Sequence, residues 1–128
     1  MKILDYSIRF VPLTLVMGTI FFLSHQPASE LPLPYLPGLD KLAHATAYAT
    51  LAAAALYAAP RNLLKARPQL AGILVVTFCM LYGVSDEYHQ RFIPGRDPSL
   101  GDLIADTAGS ACLISVWLKY HWPRFTKN

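Results

Sequence analysis

The sequence is poor in charge and in cysteine. Only 15% of its 128 residues are Asp, Glu, Lys or Arg, against about 25% in a typical soluble domain, while 54% are apolar. The two cysteines, Cys79 and Cys112, both lie in apolar runs and form no disulfide framework. The sequence also lacks Gly-x-Ser-x-Gly and His-Glu-x-x-His, two motifs typical of serine hydrolases and zinc proteases. These absences disfavour an ordinary soluble domain and hydrolysis by a Ser or Cys nucleophile.

Long apolar segments fill most of the chain instead. We predict one domain over residues 1–128 with helices at about 8–24, 41–59, 69–91 and 100–120. A membrane helix needs about 20 apolar residues, with a range of about 17–25. A soluble four-helix bundle would require a broad polar face on each helix, and the segments 10–23 and 70–82 have none. We therefore predict an all-α integral membrane bundle of four transmembrane helices, joined by an extended proline-rich segment (24–40), a basic loop (60–68) and a polar turn.

The positive charges are distributed unevenly. If the N-terminus is cytoplasmic, the cytoplasmic ends hold eight basic residues and the outer ends hold three. The eight are Lys2, Arg9, Arg61, Lys65, Arg67, Lys119, Arg124 and Lys127, and the three are Lys41, Arg91 and Arg96. Because cytoplasmic loops carry an excess of Lys and Arg, both termini are predicted to be cytoplasmic. The net charge of +3 then needs no nucleic-acid partner.

The unusual polar residues share the outer end of three predicted helices. They recur at helical spacing as Lys41/His44/Tyr48, Gly83/Glu87/Gln90 and Asp102/Asp106/Gly109. If these three stripes face the interior of the bundle, they form a polar pocket that is open to the outer side of the membrane. Asp106 lies about 9 Å inside its helix at about 1.5 Å per residue, where an aspartate is costly. It should therefore have a cationic partner, for which Lys41, His44 and Arg96 are the candidates.

These motifs resemble the VanZ-like family of small multi-pass bacterial membrane proteins. The resemblance rests on Ser24-x-Gln-Pro27, Asp40-Lys-x-x-His-x-x-x-Tyr48, Ser85-Asp-Glu-x-x-Gln90, Pro94-Gly-Arg96, Ser99 and Asp102-x-x-x-Asp-x-x-Gly109, which together cover nearly the whole chain. One departure is Asp106, where many members carry Asn. The resemblance implies the bacterial cytoplasmic membrane and a cell-envelope role, since the family is named for a protein associated with resistance to the glycopeptide teicoplanin. It supplies no mechanism.

Two functions of the pocket are compared first. As a binding protein, it would hold a lipid headgroup, a peptidoglycan precursor or a glycopeptide with donors and acceptors that include Lys41, Tyr48, Gln90, Arg96 and Asp106. As an enzyme on a lipid-linked or precursor substrate, it would use Glu87 as acid or base, with His44 and Asp102. We favour binding, because it requires no tuned base.

Three further possibilities remain weaker. A metal site would draw on His44, Glu87, His89, Asp102 and Asp106, but the histidine spacing does not support one, and we predict no metal and no cofactor. Proton transport would need polar residues in the inner halves of the helices, which are plain apolar sequence. In a purely structural arrangement, pairs such as Arg96–Asp102 and Glu87–Arg91 would clamp the loops. Asp86 is predicted to be solvated.

Overall fold

The protein is a bundle of helices. The computed structural model describes residues 2–30 and 36–125, and side chains over 7–30 (except 28) and 36–121. Prolines 32 and 34 of the proline-rich segment therefore lie outside the described residues. Every regular element in the described ranges is helical: α1 (Lys2–Ser24), α2 (Leu39–Ala58), α3 (Arg61–Ala66), α4 (Pro68–Gln90) and α5 (Leu100–Phe125), with one 3-10 turn at Ala28–Glu30.

Two local predictions differ from this arrangement. The segment 60–68, expected to be a basic loop, contains the short helix α3, which Pro60 precedes and whose Leu64 packs against the core. Proline suits the entrance to a helix, because its missing N–H would have no partner there. Helix α1 begins at Lys2 rather than near residue 8, so Pro12 lies in the helix interior, not in its first turn. There it removes one backbone hydrogen bond.

Helix α2 is the centre of the bundle, and its many alanines suit that position because small side chains let neighbouring helices approach closely. It packs against α1, α4 and α5. Small side chains on α2 and α5 allow the closest approach: a Cβ added at Gly109 would overlap the backbone of Ala45. Close backbone contact through small residues is typical of membrane helix pairs. Gly109 thus admits a neighbouring backbone, whereas Gly83 faces side chains, among them Asp106 and Leu103.

Large apolar side chains cover much of the outer surface. Within residues 2–30 and 36–125, two helices are long and apolar enough to cross a membrane, at Ser7–Ser24 and Pro68–Gln90. Side chains that point away from the core include Phe10, Leu15, Phe22, Ile73, Leu74 and Leu81. Soluble monomers rarely expose contiguous apolar surface of this kind. The arrangement is consistent with a membrane protein.

Candidate functional site

The helix N-termini of α2 and α5 are joined by an ion-pair network. Lys41, in the first turn of α2, donates to Asp102 Oδ1 at 2.5 Å and to Asp40 Oδ2 at 2.8 Å. Asp40 and Asp102 each lie in the first turn of their helix, where the helix dipole favours a carboxylate. Lys41 therefore holds the N-termini of α2 and α5 side by side. Its charge compensates part of the negative charge of Asp40 and Asp102.

One turn deeper, His44 of α2 meets Asp106 of α5. His44 Nδ1 lies 2.9 Å from Asp106 Oδ1, and His44 Nε2 lies 3.9 Å from Asp102 Oδ1. The Asp106 side chain is completely buried. Of the three cations considered from the sequence, His44 is the one in contact with Asp106. An imidazole hydrogen-bonded to a carboxylate has a fixed ring orientation, so its second nitrogen has a defined direction.

Glu87 connects α4 to the start of α5. Its Oε2 accepts a hydrogen bond from the backbone N–H of Ser99 at 2.9 Å. Ser99 in turn caps α5: its hydroxyl accepts the N–H of Asp102 at 3.1 Å and donates to Asp102 Oδ2 at 2.8 Å. In a capping box the third helical residue usually takes the N-cap N–H. Here a carboxylate from another helix does so, and this fixes Glu87 beside Asp102.

A second polar group, formed by Ser24, Asp86 and Gln90, joins α1 to α4. The Ser24 hydroxyl donates to Asp86 Oδ2 at 2.8 Å, and Gln90 Nε2 donates to the same oxygen at 3.1 Å. All three side chains are buried. The expectation that Asp86 is solvated is therefore wrong. Adjacent positions on α4 are both buried because α4 packs against several helices: Asp86 bonds to Ser24 of α1, and Glu87 bonds to Ser99 at the start of α5.

Arg96 binds the end of α1. Its Nη2 donates to the carbonyl oxygen of Leu23 at 2.7 Å, and its Nε donates to that of Gln26 at 3.0 Å. The last carbonyls of a helix have no partner within the helix, and a basic side chain satisfies them well. The pairings Arg96–Asp102 and Arg96–Asp106 considered from the sequence are not the contacts that Arg96 makes.

Three buried oxygens in this region have no hydrogen-bond partner among the described residues: Tyr48 Oη, Glu87 Oε1 and Asp106 Oδ2. An unsatisfied buried polar atom costs about 1–3 kcal/mol, and more when it is charged. Three in one region are unusual, since buried polar groups in native proteins nearly always find partners. In Glu87 and in Asp106, one carboxylate oxygen has a protein partner and the other has none among the described residues.

A cavity of about 310 Å³ adjoins these residues between α1, α2 and α4. Its apolar lining is Ile20, Leu23, Ala43 and Ala47, and its polar lining is Ser24, Asp40, His44, Tyr48, Asp86, Gln90 and Arg96. Its volume lies at the lower end of the range for small-molecule sites, about 300–1,000 Å³. The cavity therefore combines an apolar wall with polar side chains from three helices and one loop.

Comparison with protein families identifies the chain. The model of the family described as VanZ/LLP1 matches residues 6–121, which include all five helices except the first residues of α1 and the last of α5. This chain belongs to the VanZ/LLP1 family. No curated protein and no solved structure matches it. Membership together with the two apolar helices supports a membrane protein, as the sequence motifs predict.

The structure of this VanZ/LLP1 protein distributes the predicted site residues over adjoining groups. Five of them form one cluster, the polar cluster, at the junction of α2, α4 and α5: Lys41, His44, Glu87, Asp102 and Asp106. Tyr48 and Gln90 line the cavity beside it, and Arg96 lines the cavity while holding α1. Ser24 and Asp86 were not predicted as site residues. Ser24 belongs to the Ser-x-Gln-Pro motif by which the sequence resembles the family. That motif is the sequence feature from which a role of Ser24 in the site could have been predicted.

Proposed function

We propose that this VanZ/LLP1 protein crosses the bacterial cytoplasmic membrane with α1, α2, α4 and α5, both termini being cytoplasmic. At 20 to 26 residues each, the helices have the length required for a bilayer. Lys41, Arg91 and Arg96 lie at the end that holds the polar cluster, whereas Arg61, Lys65 and Lys119 lie toward the opposite end. The positive-inside rule then directs the polar cluster outward.

We propose further that the cavity binds the polar end of an amphiphilic envelope ligand. The observation that carries this proposal is the cavity itself: an apolar wall from α1 and α2 faces buried polar groups on α2 and α4. A headgroup could be held by Gln90 and Arg96 while its chain lies along Ile20 and Ala47. Lipid-linked peptidoglycan precursors have this chemistry. A glycopeptide is bulky, so about 310 Å³ would hold only a part of one.

Binding of a precursor would connect the pocket to glycopeptide antibiotics. Glycopeptides act outside the membrane on the same class of molecule, so a protein that holds a precursor at the outer face competes with them. Resistance would then follow from binding alone, without a broken bond. This interpretation assigns recognition to the donors of Gln90 and Arg96 and to the phenol of Tyr48, which line the cavity, with Lys41 in the adjoining polar cluster.

Catalysis on such a ligand is the second candidate function. It is favoured by the contact of His44 with Asp106, since a histidine oriented by a carboxylate is a common proton-transfer unit. Glu87, with one buried oxygen that has no partner in the described part of the chain, would serve as the acid or base. Asp102 would hold Lys41 in place. The substrate class is the same as for binding.

Filling the cavity tests the proposal. Ala43→Leu places a larger side chain at the wall of the cavity, and Ala53→Leu, at an exposed position of the same helix, is the matched control. Melting temperatures would be measured in nanodiscs with a polyprenyl phosphate, a lipid-linked peptidoglycan precursor or teicoplanin as the probe. We expect the precursor to raise the melting temperature of the wild type and of Ala53→Leu, with a markedly smaller rise in Ala43→Leu.

The outcomes separate the two functions. Equal stabilisation of Ala43→Leu and the wild type would contradict binding in this cavity. Mass spectrometry of the recovered precursor then distinguishes binding from catalysis. An unchanged mass supports a binding protein, whereas a new product that disappears in Glu87→Gln supports the enzyme.

A further inference from the structure

We propose that His44, Glu87 and Asp106 bind one divalent transition-metal ion of the Zn²⁺ or Mn²⁺ type. The three residues come from α2, α4 and α5, and each offers a ligand atom that lies within 4.8 Å of the other two. This inference goes beyond the proposed function, because it concerns an ion held by the protein whether or not an envelope ligand is present.

The three atoms are near one another but wider apart than in a formed metal site. Bonds from Zn²⁺ to nitrogen or oxygen are about 2.0–2.2 Å, so two ligands of a tetrahedral ion are about 3.4 Å apart. The three ligand atoms lie within 4.8 Å of one another. The side chains would therefore have to move together when the ion binds.

Two of the three residues carry buried oxygens without a partner. Glu87 Oε1 and Asp106 Oδ2 are buried and accept no hydrogen bond within the described residues. Glu87 is 9% exposed and Asp106 is 0% exposed, so bulk water is not their partner. A cation bound by both carboxylates would reduce the cost of leaving these oxygens unsatisfied.

The charge of the polar cluster gives an independent reason. Three carboxylates, those of Glu87, Asp102 and Asp106, face one permanent cation, Lys41, which already pairs with Asp102 and with the exposed Asp40. The contact with His44 compensates at most one more charge. Uncompensated buried charge is strongly destabilising. A divalent ion beside Glu87 and Asp106 would restore the balance.

The donor set selects the class of ion. Imidazole nitrogen favours Zn²⁺ and related transition metals, while carboxylate oxygen also suits Mn²⁺. Three protein ligands that leave a further position open are typical of catalytic zinc sites. His44 also lines the cavity, so an ion held by His44 would lie next to the space in which the envelope ligand is proposed to bind.

No metal was predicted from the sequence because the histidines lack the spacing of a helical metal-binding motif. None of the three ligands shares a helix with another, and Glu87 and His89, on one helix, are only two residues apart. Ligands two residues apart lie on different sides of a helix. Packing of three helices is what brings His44, Glu87 and Asp106 together.

Metal content of the tag-free protein is the first test. The purified wild type would be equilibrated with Zn²⁺, or separately with Mn²⁺, then dialysed and measured by elemental mass spectrometry. We expect one ion per chain for at least one of the two metals. Less than about a tenth of an ion per chain for both would overturn the proposal. Because no lipid is added, the result is independent of whether the envelope ligand binds.

Isosteric variants locate the site. Glu87→Gln and Asp106→Asn should each bind the ion at least about 100-fold more weakly, since loss of even an outer-shell partner costs about 10–100-fold. Asp97→Asn, which removes an exposed carboxylate from the neighbouring loop, should bind like the wild type. Equal binding by folded Glu87→Gln and Asp106→Asn would place the ion elsewhere and overturn the assignment.

A spectroscopic measurement on the wild type covers the case in which a variant does not fold. Co²⁺ bound to nitrogen and carboxylate ligands absorbs differently from aqueous Co²⁺. We expect a shifted visible spectrum that saturates at one Co²⁺ per chain and disappears when Zn²⁺ displaces it. A spectrum that remains that of aqueous Co²⁺ throughout the titration would contradict ligation by His44.

Discussion

Replacement of Gly109 by alanine tests the contact on which the polar cluster depends. A Cβ at this position would lie 2.7 Å from Ala45 Cα and 2.6 Å from its carbonyl carbon, whereas ordinary van der Waals contact begins at 3.4 Å. The Cβ would thus be at least about 0.7 Å too close to Ala45, most of all to its carbonyl oxygen, and the obstacle is backbone. Overpacking costs about 1–3 kcal/mol, occasionally more. We expect a loss of about 3 kcal/mol, because no side chain can rotate away.

The same displacement would reach the site. Asp106 is one turn before Gly109, and His44 is the neighbour of Ala45, so moving α5 away from α2 lengthens the 2.9 Å contact between His44 and Asp106. At about 3.6 Å it would no longer be a hydrogen bond. Gly109→Ala should therefore lower both stability and any function of the polar cluster.

The assay is thermal unfolding of the purified protein in detergent, with Gly18→Ala as the control. Among the described residues, none comes within 4 Å of a Cβ added at Gly18. Alanine is a better helix former than glycine by about 1 kcal/mol, so this variant should melt at or above the wild-type temperature. If Gly109→Ala melts like Gly18→Ala, α2 and α5 are not in backbone contact and the reasoning is refuted.

Two further variants test how α1 is held. Asp86→Ala removes the common acceptor of Ser24 and Gln90. It should lower the free energy of unfolding by about 1–3 kcal/mol for each buried donor left unsatisfied. The control is Ser85→Ala at an exposed position, and equal melting temperatures of the two variants would contradict this prediction. Arg96→Gln removes charged donors from the last carbonyls of α1. It should increase amide hydrogen exchange over residues 24–27, whereas Arg91→Gln at an exposed position should not. Unchanged exchange in Arg96→Gln would contradict the contact between Arg96 and α1.

The positions of the long helices and the grouping of the polar residues could be predicted from the sequence. Apolar runs interrupted by proline marked the long helices, and helical spacing put Lys41 and His44 on one stripe of α2. The insertion cost of a carboxylate in an apolar segment required that Asp106 have a partner. These arguments are local, since each depends on one helix and its own periodicity.

The remaining contacts depend on which helices are neighbours. Asp86 was predicted to be solvated, yet α4 packs against α1 as well as α5 and buries both Asp86 and Glu87. Arg96 was expected to meet a carboxylate, but the end of α1 supplies closer acceptors. The cap of α5 by Glu87 likewise requires the packing of α4 against Ser99, which helical spacing alone does not reveal.

Glu87→Gln gives the most direct test of the claim that the polar cluster takes part in the function of the protein and is not merely structural. Glu87 is the right residue because one of its oxygens is paired with Ser99 and the other has no partner in the described residues. Wild type and variant would be expressed in a glycopeptide-susceptible bacterium, with membrane abundance and susceptibility measured in the same cells. We predict normal abundance and the susceptibility of cells without the protein. Reduced abundance that accounts for the lost phenotype, or a phenotype equal to that of the wild type, would contradict the claim.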